Sequence, residues 1–172
     1  MTVSGGEPLL HSEFVAELFR LLRASGIHTA LDTCGHVPFT AFTAVLPYTS
    51  LMLYDMKGMN PENHRRNTGQ DNTLILENLT RLGMGTVPIE IRMPIVPGYN
   101  DFPEEIQAAG NFMARLPAVH CVRLLPYHAM AHEKYRMCGL EDTLPEVLPP
   151  DTEALAACAA SLRQCSGKTV IW

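Results

Sequence analysis

The order of hydrophobic and polar residues along the chain follows two periods, one typical of helices and one typical of strands. Phe14, Leu18 and Leu21 fall on one helical face, which predicts a helix over 12–24 that ends at Ser25-Gly26. Further helices are predicted over 39–46, 71–82, 104–116 and 152–163. Apolar, β-prone runs predict strands over 27–32, 51–56, 87–96 and 119–125, with strand stubs at 1–3 and 168–172. Pro88 and Pro94 predict a bent or edge-like course for the strand over 87–96.

Strands that alternate with helices of this length predict parallel βαβ units with right-handed crossovers. The 172 residues are enough for one domain, which we place over 1–172. The predicted fold class is therefore α/β, with four full strands, a stub at each end, and a long loop over 130–150. In such folds ligands bind at the carboxyl ends of the strands, so we expect the chemistry there.

Composition narrows the class of protein without naming a function. Hydrophobic residues make up 47% and charged residues 18%, which is typical of a globular chain. The net charge of -5 gives no reason to expect a nucleic-acid partner, because such proteins usually carry a basic face. No apolar run is long enough to span a membrane, and residues 1–10 lack the pattern of a signal peptide. We therefore expect a cytoplasmic protein with no membrane partner.

The five cysteines, at positions 34, 121, 138, 158 and 165, form no recognisable metal or disulfide pattern. Their number is odd and their spacings are long, which argues against a secreted disulfide framework. No pair has the C-x-x-C or C-x-x-x-C spacing of a tight metal clip.

Two glycines and a carboxylate follow the first strand stub. Gly5 and Gly6 allow positive φ and close approach of a ligand to the backbone, and Glu7 could accept from a ligand ammonium group. The same residues could equally form a simple turn before a helix capped by Ser12.

Polar residues also close the next two strands. Asp32 and Thr33 offer oxygens for a cation or a ligand hydroxyl, although Asp32 could instead cap the following helix. Asp55 and Lys57 lie on one face of their strand because side chains alternate with period two. They could contact a ribose diol and a carboxylate, or they could form a salt bridge with each other.

Two further residues belong to the last pair of long strands. Arg92 lies among apolar residues, where a charge needs a partner, so it either pairs with Glu90 or points into a polar cavity. His128 follows a strand end, where it could hydrogen-bond to or stack on a ligand ring, or simply lie at the surface.

These motifs close successive strands in a fixed order. The series is Gly-Gly-Glu-Pro (5–8), Asp-Thr-Cys-Gly (32–35), Asp-Met-Lys (55–57), Ile-Arg-Met-Pro-Ile-Val-Pro-Gly (91–98) and Leu-Leu-Pro-Tyr-His (124–128). It closely resembles the activating enzymes of glycyl radical enzymes, the radical S-adenosylmethionine (SAM) group that includes the pyruvate formate-lyase activator. The resemblance covers essentially the whole chain.

The resemblance implies a fold, a reaction and two cofactors. The fold is a partial (β/α)6 barrel, and the cofactors are SAM and a [4Fe–4S] cluster held by a C-x-x-x-C-x-x-C motif. An oxidoreductase of this kind works in anaerobic cells, receiving an electron from a flavodoxin or ferredoxin-type reductant. It cleaves SAM to a 5′-deoxyadenosyl radical, which takes a hydrogen atom from a glycine of the partner, a glycyl radical enzyme.

The resemblance also assigns roles to the residues of the first two strand ends. Gly6 and Glu7, with Gly5 beside them, would hold the methionyl end of SAM. Asp32 and Thr33 would line the SAM site and help to bind a monovalent cation.

Roles at the later strand ends follow from the same resemblance. Asp55 and Lys57, with Met56 between them, would contact the SAM ribose and carboxylate. His128 would contact the adenosine. Arg92 would lie near SAM or the entering glycine loop.

The cluster motif does not occur in this sequence, and no cysteine can replace it by spacing. In the family it follows the first barrel strand, which would precede Met1, so we expect a chain truncated at its amino end, lacking the first strand or strands. Without three thiolates the cluster has no cage, and we expect the chain alone to be inactive.

Two other interpretations stay open at this stage. The chain could be a non-catalytic fragment or interaction domain that binds a glycyl radical enzyme without activating it. It could also be an unrelated α/β enzyme for a phosphorylated ligand, although no Gly-x-Gly-x-x-Gly or Walker loop supports that reading.

Overall fold

The fold is a six-stranded, all-parallel sheet whose strands follow one another in sequence order. A computed structural model describes residues 1–128, 135–141 and 147–172, so part of the loop predicted over 130–150 lies outside the described residues. The strands are β1 (Thr2–Val3), β2 (Ala30–Thr33), β3 (Leu51–Asp55), β4 (Ile89–Ile95), β5 (Val119–Pro126) and β6 (Thr169–Ile171). The predicted α/β class and the strand stubs at both ends are confirmed.

Helices connect the strands, as the alternating pattern predicted. They are α1 (Ser12–Ala24), α2 (Phe39–Val45), α3 (Pro61–Thr68), α4 (Thr73–Gly83), α5 (Pro103–Ala114) and α6 (Thr152–Ser166). Helix α3 was not predicted from the sequence, because it has no apolar face to give a helical period. Its local signals are nevertheless clear, because the Asn60 side chain accepts from two backbone N–H groups at its start and Gly69 ends it with a φ of 82°.

The helices cover only one face of the sheet. In β4 every second residue, from Ile89 to Ile95, is buried, and these side chains join the same core as Phe19 of α1 and Leu79 of α4. The intervening residues of β3 and β4 are only half-buried. We call this second side the open face of the sheet, and it carries the charged strand residues.

The strand over 87–96 differs in one respect from its prediction. Pairing of β4 with β5 shifts register between Ile89 and Glu90, which agrees with a bent strand. The edge-like position is wrong, because β4 pairs with β3 on one side and β5 on the other. Pro94 is tolerated in this central strand although it has no N–H to donate to the ladder.

The sheet is open at both sides in the part of the chain that the structure describes. There, β1 pairs with β2 alone and β6 with β5 alone. Of the helices described, none has the length and apolar character needed to cross a membrane.

Candidate ligand site at the carboxyl edge of the sheet

Glu7 joins the loop after β1 to the end of β2. Its Oε1 accepts from the Leu9 N–H at 3.1 Å and from the Thr33 hydroxyl at 2.9 Å, and its Oε2 accepts from the Cys34 N–H at 3.0 Å. A carboxylate offers about four acceptor positions, and the protein uses three of them here. Glu7 therefore fixes the local structure and keeps limited capacity for a ligand.

Gly5 and Gly6 leave open space beside this carboxylate. Gly5 has a φ of 118°, a conformation that side chains rarely adopt, and no atom lies within 4 Å of a Cβ built at either glycine. A ligand could therefore approach the backbone of this loop closely.

Asp32 of β2 forms an ion pair with Arg92 of β4, across the intervening strand β3. Its Oδ2 accepts from the Ser4 hydroxyl at 2.9 Å and from Arg92 Nη1 at 2.7 Å. The alternative that Asp32 caps a helix is wrong, because Pro38 occupies the N-cap of α2 and no side chain caps that helix. The alternative that Arg92 pairs with Glu90 is also wrong, because Glu90 pairs with Arg123 at 2.6 Å.

Thr33 faces the helices and not the open face. It is 2% exposed, and its hydroxyl donates to Glu7 while accepting from the Gly35 N–H at 3.0 Å. The side chain is therefore fully used within the protein. The neighbouring Cys34 is half-buried, and this burial raises the pKa of its thiol, which keeps it protonated.

Asp55 and Lys57 lie close together without forming a tight pair. Asp55 Oδ2 and Lys57 Nζ are 4.0 Å apart, and the side chains are 30% and 43% exposed. Burial raises the pKa of the Asp55 carboxyl and is the largest cause. The positive charges of Lys57 and Arg92 lower this pKa, and the negative charge of Asp32 raises it. Both groups keep free hydrogen-bonding capacity towards the open face.

Met56 and His128 differ from the other predicted site residues. The Met56 side chain is 1% exposed in the core, while its N–H donates to the Arg92 carbonyl oxygen at 2.9 Å. Only its main chain could therefore contact a ligand. His128 is exposed just after β5, at the same edge of the sheet, and makes no hydrogen bond with any described side chain.

Two polar residues that the sequence analysis missed hold this edge in place. Ser4 donates to Asp32, as described above, and Asn100 donates from Nδ2 to the Lys57 carbonyl at 2.9 Å and the Pro94 carbonyl at 2.7 Å. The signal for Asn100 was its place in the Gly-Tyr-Asn turn after a strand, where asparagine often bonds to backbone groups.

The arrangement suits a ligand with charges of both signs. Acceptors at Glu7, Asp32 and Asp55 lie at the same sheet edge as the Lys57 ammonium. Within the described ranges, no three His, Cys, Asp or Glu side chains lie close enough to hold a metal ion.

A sequence model of a known protein family matches most of this chain. The model of the Radical SAM superfamily matches residues 1–112, which include the strand ends from Gly5 to Arg92. The chain belongs to the radical SAM superfamily. This confirms the family resemblance and agrees with the partial-barrel fold.

Relatives within the superfamily are activating enzymes. The chain is 42% identical over 149 residues to the isethionate sulfite-lyase activating enzyme of Desulfovibrio desulfuricans, covering 86% of this chain and 47% of that protein. It is 35% identical over 175 residues to the pyruvate formate-lyase-activating enzyme of Listeria monocytogenes, covering 98% of this chain and 70% of that protein. The chain therefore spans about half the length of the first of these radical SAM relatives and more of the second.

A solved structure supports the same placement. A domain of the pyruvate-formate lyase-activating enzyme from Bacteroides vulgatus superposes with a TM-score of 0.84 at 29% identity, covering 100% of this chain and 98% of that one. The radical SAM fold of the described residues thus matches an activating-enzyme domain over its whole length.

Proposed function

We propose that this chain binds SAM at the carboxyl edge of its sheet and serves in the activation of a glycyl radical enzyme. The observation that carries the proposal is that Glu7, the Asp32–Arg92 ion pair, Asp55 and Lys57 all lie at one edge of the sheet. Family membership and the activating-enzyme relatives support it. When bound with its cluster, SAM supplies the radical that takes hydrogen from a glycine.

The residues present fit the polar parts of SAM. The Lys57 ammonium would bind the methionyl carboxylate, and Glu7 or Asp32 would accept from the amino group. An ionised Asp55 would accept from the ribose hydroxyls, and the exposed His128 ring would contact the adenine. The open space at Gly5 and Gly6 leaves room for the ligand backbone.

The described residues do not fit a [4Fe–4S] cluster. Cys121 and Cys158 are buried in the core, Cys34 and Cys165 are half-buried, and no metal-binding group of three is formed. Such a cluster needs thiolates on its irons. We therefore propose that this chain binds SAM but does not cleave it reductively by itself.

Equilibrium dialysis with radiolabelled SAM tests the binding step. The wild-type chain should retain SAM, and Lys57→Ala should weaken retention about 10-fold, the effect of losing one charge-assisted contact. Lys168→Ala is a matched control, because Lys168 Nζ donates to the Leu116 carbonyl, far along the chain from the site. Equal retention by Lys57→Ala and the wild type would refute the proposal.

Anaerobic reconstitution with iron and sulfide tests the second step. The chain should bind less than one [4Fe–4S] cluster per molecule. It should form no 5′-deoxyadenosine when SAM and dithionite are added. Stoichiometric cluster and steady 5′-deoxyadenosine production would show that these residues suffice for cleavage. The flavodoxin or ferredoxin-type reductant, the cytoplasmic location and a glycyl radical enzyme as partner stay predictions.

A further inference from the structure

A cavity lies next to the proposed SAM site. It has a volume of about 760 Å³ and lies between α3 and the loop that follows β4. Lys57 lies at the border between the two sites. Its side chain lines this cavity, and its ammonium lies near Asp55 of the proposed SAM site. Asn63, Arg66 and Asn67 line one wall, and Tyr99 lines the other.

The cavity walls carry hydrogen-bonding groups that no described residue uses. Asn63, Arg66 and Asn67 lie at i, i+3 and i+4 positions of α3, so they share one helical face. None of these three side chains, nor the Tyr99 hydroxyl, hydrogen-bonds to or ion-pairs with any residue in the described ranges. Adjacent Arg65, by contrast, is paired with Asp71 at 2.7 Å.

The turn that leads into α3 is held rigidly. Glu105 of α5 accepts from the N–H groups of Met59 and Asn60, and Asn72 Nδ2 donates to the carbonyls of Gly58 and Met59, each at 2.9 Å. A Cβ at Gly58 would lie 2.9 Å from the Glu105 carboxylate, so the turn packs directly on it. The wall is therefore preorganised, which lowers the entropic cost of binding.

The cavity carries one cation that no described residue pairs with. Glu105 is the one carboxylate in the lining that the structure describes, and its Oε1 already accepts from two backbone N–H groups of the turn. Arg66 is that cation, whereas Lys57 at the border of the cavity lies near Asp55 and belongs to the proposed SAM site. A ligand with carboxylates would therefore find complementary charge here.

We propose that this cavity docks an extended acidic segment of a partner protein. Its size exceeds what one small anion needs, and its donors are spread over two facing walls. The amide groups of Asn63 and Asn67 can match peptide groups, while Arg66 binds an acidic side chain. Naming that partner as the glycyl radical enzyme rests on the proposed function, whereas the docking itself does not.

Fluorescence anisotropy with labelled model peptides tests this inference on the full chain. The probes are a glycine-serine peptide that carries glutamates and two versions with glutamine or lysine in their place. The glutamate peptide should bind more tightly than the glutamine peptide, and Arg66→Glu should weaken its binding about 5-fold or more. Arg65→Glu is the control, because it alters the neighbouring arginine, which does not line the cavity, and should change binding less than about 2-fold.

The lysine peptide distinguishes a loss of charge complementarity from a loss of binding caused by misfolding. Arg66→Glu should gain affinity for the lysine peptide while its circular dichroism matches the wild type. Equal binding of the glutamate and glutamine peptides, or equal loss in Arg65→Glu and Arg66→Glu, would overturn the proposal. So would complete competition by low inorganic phosphate, which would indicate a simple anion site.

SAM retention separates this inference from the proposed function. Arg66→Glu should retain SAM as the wild type does, since Arg66 is not a residue of the SAM site. If the wild type fails to bind SAM but still prefers the glutamate peptide, the proposed function fails and the docking inference stands.

Discussion

Arg92 of β4 reaches over the intervening strand β3 to place its Nη1 2.7 Å from Asp32 Oδ2 of β2. In sheet register Arg92 lies beside Asp55, yet its ion pair is made one strand further away. The Asp32 and Arg92 side chains are 16% and 29% exposed, so the pair is partly shielded from water. The pair joins β2 to β4 across β3 before any ligand binds.

Removing one partner of this pair should cost more than removing both. Arg92→Met should lower the free energy of unfolding by about 1.5–3 kcal/mol, because Asp32 stays half-buried and, among the described residues, keeps Ser4 as its one donor. Adding Asp32→Asn should recover part of that loss, since no uncompensated charge then remains. Urea unfolding of the single and double variants measures the coupling. Strictly additive losses would show that the pair contributes nothing.

Glu7 should matter to stability even without a ligand. Glu7→Ala removes the acceptor for two backbone N–H groups and the Thr33 hydroxyl, and should cost about 2–3 kcal/mol in urea unfolding. Glu17→Ala, at an exposed site paired with Arg20, is the control and should cause no resolvable change. A Glu7→Ala variant as stable as the wild type would assign Glu7 to ligand binding alone.

Asp55 should show opposite effects on stability and on ligand binding. Its folded pKa is raised, mainly by burial, so the ionised carboxyl costs stability above that pKa, and the cost fades as pH falls towards 3.8. Asp55→Asn should therefore raise the melting temperature by about 2 °C at neutral pH, and the gain should vanish in acid.

The same titration should control SAM binding. Only the ionised carboxyl accepts from two ribose hydroxyls, so wild-type affinity should fall as pH drops through the raised pKa of Asp55. Asp55→Asn should bind SAM more weakly at neutral pH and lose this pH dependence. Dialysis at a series of pH values measures both; a pH-dependent Asp55→Asn variant would assign the titration to another group.

Gly35 should be among the least replaceable residues near the site. A Cβ there would overlap the Tyr54 hydroxyl, which donates to the Ile75 carbonyl at 2.7 Å, and the residue has a φ of 74°. Gly35→Ala should cost about 2–4 kcal/mol in urea unfolding. Gly69→Ala is the control, with a φ of 82° but open space around it, and should cost about 1 kcal/mol. Equal costs would show that Tyr54 moves away freely.

Helices with an apolar face could be predicted from the sequence, whereas polar elements and exact boundaries could not. The helix predicted over 71–82 is observed as Thr73–Gly83, because its apolar face packs on the core. Helix α3 was missed because its face is polar. The strand predicted over 27–32 begins only at Ala30, since Gly26 turns left-handed and the Ile27 N–H still bonds back to Leu22 of α1.

The sheet edge at which the candidate site lies could be predicted from the sequence. Strand-end logic placed Asp32, Asp55 and Lys57 together, because the carboxyl ends of parallel strands share one edge. Because side chains alternate along a strand, Thr33 should face away from Asp32, and Met56 away from Asp55 and Lys57. Both side chains are indeed buried on the other face. The Asp32–Arg92 pair could not be predicted, since side chains two strands apart share no sequence spacing.

Chemical-shift mapping of the 19.0 kDa chain tests the central claim most directly. Titration of the ¹⁵N-labelled protein with SAM should perturb the amide signals of Gly6, Thr33, Lys57 and His128 together, with one common dissociation constant. The amides near Met84, at the opposite edge of the sheet, should not move. Perturbations scattered over unrelated surfaces, or none at saturating SAM, would contradict a single SAM site at this edge.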